Sequence, residues 1–207
     1  MKEYITVKGT SIGEYEEKKS KFIAVLLPVT TEEEASAVID EVRKKNVGAR
    51  HNVYAFRLSS GTERSSDDGE PSGTGGKPLL EMLKAENLSD VLVVVTRYFG
   101  GVLLGTGGLK RAYTAAASEA LKLAVKRHRK LAVRMSFVMD YSFYDRLSFL
   151  IDKSLGEVIE KNFTNEVSLT VVLPWAEYEN FQREYEKNLI SGVKCTEREE
   201  ILHFFEN

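Results

Sequence analysis

The sequence predicts a two-domain α+β protein, with a first domain over residues 1–130 and a second over residues 131–207. A chain of 207 residues can form one large or two small domains, and its hydrophobic content of 43% is sufficient for buried cores. Apolar residues recur at both helical and strand spacing, which indicates a mixed fold. The periodic patterns stop at the polar residues 126–130 and restart after them.

In the first domain, four apolar runs predict strands, at residues 4–8, 22–29, 53–58 and 91–95. Thr31, with Glu34 three residues later, forms a capping box that predicts a helix over residues 32–45. The stretch from Ser59 to Pro78 is polar and rich in glycine, which predicts a loop. A short helix is expected to begin at Pro78, since the first helical position needs no N–H donor.

A long helix is predicted from Thr106 or Gly107 to the basic residues 126–130. Its many alanines favour helix and allow close packing on a sheet. Lysines and arginines at its end would complement the helix dipole. Residues 91–95 are entirely apolar, so that strand is expected at the centre of the sheet.

The second domain starts with strict alternation of apolar residues, which predicts a strand over residues 131–139. A helix around Leu147–Ile151 is expected to end near Gly156. A hairpin over residues 158–173, a helix opened by Pro174 and a last strand over residues 193–205 follow. The order βαββαβ is typical of a ferredoxin-like domain.

Two glycine-rich stretches, Asp67–Pro78 and Thr96–Tyr113, hold nine of the fifteen glycines. Glycine loses the most backbone freedom on folding, so this density indicates special backbone angles or close approach to another group. Tight turns alone would account for the pattern. Each stretch also leads into a predicted helix, where free N–H groups beside cations could bind phosphate.

The candidate residues fall into two sets. The RNA or anion site would comprise Arg97, Gly100, Gly101, Gly105, Gly107, Gly108, Lys110 and Arg111. The acidic loop would comprise Asp67, Asp68, Glu70, Ser72 and Gly73. We expect the two sets to lie side by side at one end of the sheet, with Arg97 either paired with an acidic-loop carboxylate or touching a ligand.

Neither stretch fits a standard nucleotide-binding motif. A P-loop needs glycine six positions before its lysine, where Lys77 has Pro71, and Ser or Thr after it, where Pro78 stands. The dinucleotide pattern GxGxxG also fails, since Lys110 stands where the last glycine after Gly105 and Gly107 would be. No cofactor is therefore expected.

The two stretches read DDGEPSGTGGKP and TRYFGGVLLGTGGLKRAY. They closely resemble the motifs of the YigZ/IMPACT family, in which a DDGEPSGTAGKP-like loop precedes a strand ending in TRYFGG and a later GGLxRAY. Shorter matches at Lys19–Ala24 and at Ala49–Phe56, which contains His51, support the resemblance. The chain departs from the bacterial pattern at three places: Gly75 replaces alanine, Asn52-Val53 replaces Asn-Cys, and Leu103 replaces a frequent lysine.

The resemblance implies a first domain like domain IV of elongation factor G and a second, ferredoxin-like domain like its domain V. Bacterial YigZ-like members carry this second domain and eukaryotic IMPACT proteins lack it, so the chain resembles the bacterial branch. Its Val102–Leu104 run is nevertheless similar to the eukaryotic branch. IMPACT proteins look like translation regulators that bind a ribosome-associated partner of a stress-sensing kinase. The resemblance therefore implies a translation-associated factor, with RNA, the ribosome or a regulatory protein as its partner.

Charge is distributed unevenly along the chain, although the net charge is only −2. Residues 97–134 contain nine lysines and arginines and a single acidic residue, Glu119, which gives that segment a net charge of +8. Such a segment, through the glycine-rich loops and the basic helix, could bind nucleic acid. A solvated helix end would also explain it.

An enzymatic alternative uses His51 with Asp67, Asp68 and Glu70, in a hydrolase or phosphoryl-handling site. The spacing of these residues matches no recognised metal motif, so no metal is expected. Serines 65, 66 and 72 are near, yet the chain has no GxSxG motif. Otherwise, His51 would orient the acidic loop by hydrogen bonding.

A cytoplasmic location is expected. The single Cys195 allows no internal disulfide, and the first ten residues lack the apolar core of a signal peptide. No apolar run approaches the roughly 20 residues that span a bilayer, so no membrane association is expected.

Overall fold

A computed structural model describes residues 2–189 and 191–205. The chain divides into two compact units. The first, here the N-terminal unit, is Tyr4–Arg127, and the second, the C-terminal unit, begins at His128 and includes Lys2 and Glu3.

The N-terminal unit contains six strands and three helices among the described residues. The strands are β1 Tyr4–Lys8, β2 Ser11–Glu17, β3 Ser20–Pro28, β4 His51–Arg57, β5 Glu63–Ser66 and β6 Val91–Tyr98. The helices are α1 Glu32–Lys45, α2 Gly76–Ala85 and α3 Gly105–Leu123. Five strands form an antiparallel sheet in the order β2-β3-β6-β4-β5. The predicted central place of the fully apolar strand is confirmed, because β6 is the middle strand and its first seven residues are buried.

Helices cover both faces of this sheet. On one face, α2 and α3 bury Leu79, Leu83 and Tyr113 against inward side chains such as Phe22. On the other face, α1 buries Ile39 and its neighbours against a smaller cluster. As the capping box predicts, the Thr31 side chain accepts a hydrogen bond from the Glu34 N–H and α1 starts immediately after it.

Gly13 allows α3 to lie directly against β2. A Cβ at Gly13 would be 2.1 Å from the backbone nitrogen of Ala120 and 2.6 Å from the carbonyl oxygen of Ala116. Only glycine fits there, and the small alanines of α3 complete the close packing of helix on strand.

The C-terminal unit has the order βαββαβ. Its elements are β7 Val125–Met139, whose first three residues still belong to the N-terminal unit, α4 Tyr141–Lys153, β8 Glu157–Phe163, β9 Val167–Pro174, α5 Trp175–Asn188 and β10 Val193–Phe204. The sheet order β10-β7-β9-β8 is antiparallel, and the alternate residues Val133, Met135, Phe137 and Met139 bury one face against α4 and α5. This arrangement confirms the predicted ferredoxin-like domain.

The prediction that residues 126–130 end a helix is wrong. α3 ends at Leu123, and the basic residues lie in β7, where Arg129 pairs with Phe204 and Lys130 with His203 of β10. Backbone pairing with a distant strand decides the structure there, and helix propensity does not. Two further strands are absent from the prediction, β2 and β5, because both lie at sheet edges and carry mostly polar residues.

The predicted loop from Ser59 to Pro78 and the start of the following helix also need correction. β5 lies within the loop and pairs with β4 through backbone hydrogen bonds. α2 begins at Gly76, so Pro78 occupies its third position. The third N–H of a helix also lacks an intrahelical partner, which is why proline is tolerated there.

Candidate functional site

The acidic loop closes on the start of α2. One Asp67 oxygen accepts hydrogen bonds from the N–H groups of Gly75 and Gly76, and the other accepts one from Gly73, each at 2.8 Å. Partial burial disfavours the ionised form of Asp67, but these backbone donors outweigh it and lower the pKa of Asp67 below its ordinary value of 3.8. The anion position at the α2 N-terminus is therefore filled by the chain's own carboxylate.

Asp68 fastens the same loop to the sheet. Its carboxylate accepts hydrogen bonds from Arg43 of α1 at 2.8 Å and from the Asn52 N–H of β4 at 2.7 Å. His51 Nδ1 donates to the Asp68 carbonyl oxygen at 2.8 Å, since a carbonyl oxygen can only accept. His51 thus orients the loop by hydrogen bonding, as the non-enzymatic interpretation predicts.

Glu70 joins the acidic loop to the end of β6. Its Oε1 lies 2.7 Å from Arg97 Nη1 and accepts a hydrogen bond of 2.7 Å from the Tyr113 hydroxyl. The Arg97 and Glu70 side chains are only 7% and 4% exposed, so this ion pair is almost completely removed from water. The pKa of Tyr113 is raised above its ordinary value, mainly by burial of the hydroxyl and to a lesser extent by its hydrogen bond to Glu70. The predicted pairing of Arg97 with an acidic-loop carboxylate is confirmed.

Aromatic rings surround the Arg97 guanidinium. Its central carbon lies 5.6 Å from the centre of the Phe22 ring and 5.4 Å from that of Phe99. Tyr113 packs edge-on against Phe22, with ring centres 5.1 Å apart. Arg97 Nε is buried without a hydrogen-bond partner among the described residues. Arg97 is thus held inside the unit, at the junction of β6, α3 and the acidic loop.

Residues 99–104, here the 99–104 loop, follow β6 and lead into α3. A Cβ at Gly100 would lie 2.0 Å from the backbone of Lys19, so glycine allows the loop to pass against the turn between β2 and β3. Gly101 has a φ of +83°, which glycine adopts without strain. The loop exposes three apolar side chains, with Phe99 at 51%, Val102 at 43% and Leu103 at 82%.

The start of α3 is open to solvent. Leu104 occupies the N-cap position and provides no capping hydrogen bond, and the first turn has no acidic residue. Gly105 and Gly107 are exposed. Lys110 and Arg111 are also exposed, and within residues 2–189 and 191–205 neither side chain forms an ion pair. Unlike α2, α3 presents free N–H groups beside two cations.

The structure places the predicted residues in two arrangements. Asp67, Asp68, Glu70 and Arg97 meet at one end of the sheet, where His51 pairs with Arg97 across the β4–β6 ladder. This confirms that the acidic loop lies beside the beginning of the second glycine stretch. Ser72 and Gly73 are exposed at the tip of the acidic loop, and Gly108 is buried in α3.

The cations of the +8 segment do not form one surface. Arg97 is buried, Lys122 pairs with Glu119, and Lys126 pairs with Glu86. Arg134, in the C-terminal unit, pairs with Glu199. Acidic residues from elsewhere in the chain therefore pair with at least Arg97, Lys126 and Arg134, whereas Lys122 pairs within the segment.

For an enzymatic site, the carboxylates would need to face a shared space. Asp67, Asp68 and Glu70 each bind different protein groups, and Ser66 Oγ accepts the Asp68 N–H. In the described part of the chain, no group of three or more His, Cys, Asp or Glu side chains is placed to hold a metal ion. The arrangement fits a braced loop better than an acid–base pair.

The fold and site define a class of two-domain α+β protein. In its first domain, an acidic loop caps one helix, and the uncapped, glycine-rich start of a second helix lies nearby. Residues 18–121 match the Impact N-terminal domain, and residues 137–184 match a domain of unknown function, DUF1949. The chain belongs to the YigZ/IMPACT family.

Relatives support this assignment over nearly the whole chain. IMPACT family member YvyE of Bacillus subtilis is 37% identical over 91% of this chain and 83% of its own length. Protein IMPACT of Oryctolagus cuniculus is 38% identical over 45% of this chain and 31% of its own length. A solved structure described as that of a hypothetical protein has a TM-score of 0.62 at 29% identity, covering 94% of this chain and 97% of that one.

Sequence reasoning missed three residues that shape the site. Arg43 lies far from both motifs and reaches Asp68 only because α1 packs beside β4. Tyr113 stands in the second glycine stretch, but its bond to Glu70 depends on the position of α3. Thr96 donates to the Asn52 side chain across buried strands at 2.8 Å. Among the described residues, no helix has the length and apolar character needed to cross a membrane.

Proposed function

We propose that this protein is a translation-associated regulatory factor that binds RNA or the ribosome in the cytoplasm. Membership of the YigZ/IMPACT family supports a role in the regulation of translation. The observation that carries the proposed contact is the contrast between two helix starts in one unit. α2 is capped by Asp67, whereas α3 is uncapped and lies beside two exposed cations.

Phosphate is the ligand that this α3 surface suits. Free N–H groups at a helix N-terminus carry a partial positive charge and bind anions. Lys110 and Arg111 lie one turn further along and add two full charges. Gly105 and Gly107 have no side chain to keep a phosphate away from the backbone. Lys110, Arg111 and the exposed glycines are therefore proposed as direct contacts.

The acidic loop and Arg97 have an indirect role in this proposal. Arg97 is bound to Glu70 and nearly inaccessible, so it positions the 99–104 loop and does not touch the ligand in this conformation. Phe99, the first residue of the 99–104 loop, lies against the Arg97 guanidinium, so Arg97 helps to fix the start of that loop. The exposed Val102 and Leu103 give the same surface an apolar edge, which suits a ribosomal or regulatory protein beside the RNA.

A pull-down of purified ribosomal subunits tests the proposed partner directly. The tagged full-length protein is incubated with the subunits at low salt, with and without RNase treatment. We expect retention that RNase treatment reduces and that the double variant Lys110→Ala/Arg111→Ala weakens. Retention unaffected by RNase would favour a ribosomal protein as partner, and absence of retention would contradict the proposal.

A further inference from the structure

A groove in the C-terminal unit lies where α4 ends and α5 begins. It has a volume of about 560 Å³, and its apolar lining includes Leu131, Leu155, Trp175 and Phe205. Leu155 is 67% exposed and Trp175 is 42% exposed. Trp175 stacks on Tyr178, with ring centres 5.8 Å apart, so the indole is held in place. A concave surface with several exposed large apolar side chains is typical of a binding site.

The backbone at Leu155 supports this interpretation. Leu155 follows the end of α4 with a φ of +54°, a conformation normally taken by glycine at that position. A side chain costs about 1–2 kcal/mol there. The Gly156 N–H closes the helix by donating to the Ile151 carbonyl at 2.9 Å, so the fold itself does not require leucine. A strained and exposed leucine beside a groove points to a role other than folding.

Acidic residues dominate the charge of the groove. Among the described residues that line it, Glu3, Glu157 and Glu177 are acidic and Lys130 is the one cation. The Glu3 carboxylate accepts the Leu131 N–H, and Glu157 pairs with His203 at 3.0 Å. The C-terminal end of α4 and the N-terminal end of α5 both flank the groove, and their opposite partial charges offset each other. The side chains therefore leave the groove negative.

We propose that this groove binds a basic, apolar peptide segment of a protein partner. An apolar side chain of the peptide would pack between Leu155 and Trp175, and a lysine or arginine would lie near Glu177 and the indole face. RNA is excluded as the occupant by its chemistry, because phosphates would face carboxylates. The site is separate from the proposed RNA surface in both its residues and its ligand.

Trp175 makes the proposal directly measurable, because it is the chain's single tryptophan. The full-length protein is titrated with a blocked peptide of alternating lysine and leucine while its tryptophan emission is followed. We expect a saturable shift to shorter wavelength as water leaves the indole. Matched peptides carrying glutamate for lysine, or serine for leucine, should bind about fivefold more weakly, which corresponds to about 1 kcal/mol.

Two variants separate binding from folding. Glu177→Lys should weaken binding of the lysine–leucine peptide by about fivefold or more. Glu179 is exposed on α5 outside the groove, so Glu179→Lys should change the binding affinity little. Leu155→Gly relieves the backbone strain, so it should keep or raise the melting temperature of the protein. It should also weaken binding of the peptide, because an apolar contact is lost. Equal binding of the glutamate peptide would overturn the proposal. So would an emission shift that depends on protein concentration alone, since a second copy would then cover the groove.

Discussion

Asp67 supplies the hydrogen-bond acceptors that the start of α2 would otherwise lack. The backbone of the acidic loop turns so that three N–H groups converge on one carboxylate. Asp68 and Glu70 continue this pattern with bonds to Arg43 and Arg97. The acidic residues of the motif thus stabilise the conformation of their own loop. The neighbouring 99–104 loop depends on that conformation, because Glu70 pairs with Arg97 and Arg97 contacts Phe99.

Asp67→Asn should destabilise the protein by about 1–3 kcal/mol at neutral pH, because the N–H groups of Gly73, Gly75 and Gly76 lose a charged acceptor. Urea denaturation followed by circular dichroism measures this loss. Glu81→Gln, on the exposed side of α2, is the matched control and should be nearly neutral. An Asp67→Asn variant as stable as the native chain would contradict the capping role.

The same carboxylate predicts an acid dependence. The pKa of Asp67 is lowered in the folded state, so ionised Asp67 contributes stability above its ordinary pKa of 3.8. That contribution is lost as the pH falls through the lower, folded-state pKa. The stability difference between the native chain and Asp67→Asn should therefore narrow progressively below about pH 4. Denaturation curves over a pH series would show a constant difference if Asp67 played no part.

The buried Arg97–Glu70 pair should behave as a unit. Removing one partner leaves an uncompensated buried charge, so Arg97→Leu or Glu70→Leu should each cost about 3–5 kcal/mol. The double variant should cost clearly less than the sum, since no lone charge remains. Tyr113→Phe should cost only about 1 kcal/mol. Additive losses in this double-mutant cycle would show that the two side chains act independently.

At the scale of elements, the position of α3 links the packing of the sheet to the candidate site. Its alanine face lies against Gly13 of β2, its Tyr113 reaches Glu70, and its open first turn carries the proposed phosphate contacts. A change in the packing of α3 on β2 would therefore alter the geometry of the candidate site as well as the packing of the core.

Two glycine substitutions test this seating. Gly13→Ala should destabilise the protein strongly, by about 3 kcal/mol or more, because the new Cβ meets helix backbone that cannot move aside. Gly107→Ala has ordinary space within α3 and should be neutral or stabilising by up to about 1 kcal/mol. Thermal melts compare the two. If Gly107 also approaches a phosphate, Gly107→Ala should weaken RNA binding without loss of stability.

The elements show which features the sequence could predict. Elements with a strong apolar pattern, such as β6, β7 beyond Leu131 and α1, are predicted correctly. In these elements, the spacing of apolar residues along the sequence indicates which side chains are buried. β5, with the sequence ERSS, has no apolar residue, and its strand pairing exists only because β4 lies beside it. The pairing of Arg97 is predictable from motif chemistry, whereas the contact from Arg43 to Asp68 depends on tertiary packing.

At the scale of the whole molecule, the chain combines two units with different surface chemistry. The N-terminal unit presents an uncapped helix start with Lys110 and Arg111, and the C-terminal unit contains an acidic, apolar groove. We propose RNA as the ligand of the first surface and a basic peptide as the ligand of the second. A factor with both could contact the RNA and the protein of one ribonucleoprotein particle.

The measurement that tests the RNA assignment most directly is the salt dependence of binding to purified ribosomal RNA. For Lys110→Ala/Arg111→Ala, affinity should fall, and the slope of log affinity against log salt should become shallower by about one to two units, at up to about 0.9 per lost phosphate contact. Lys44→Ala/Lys45→Ala, at the end of α1, is the matched control and should leave both unchanged. Replacing Lys126, Arg127, Arg129 and Lys130 tests whether β7 contributes instead. Native affinity and slope in the Lys110→Ala/Arg111→Ala variant, with its circular dichroism intact, would contradict the central claim.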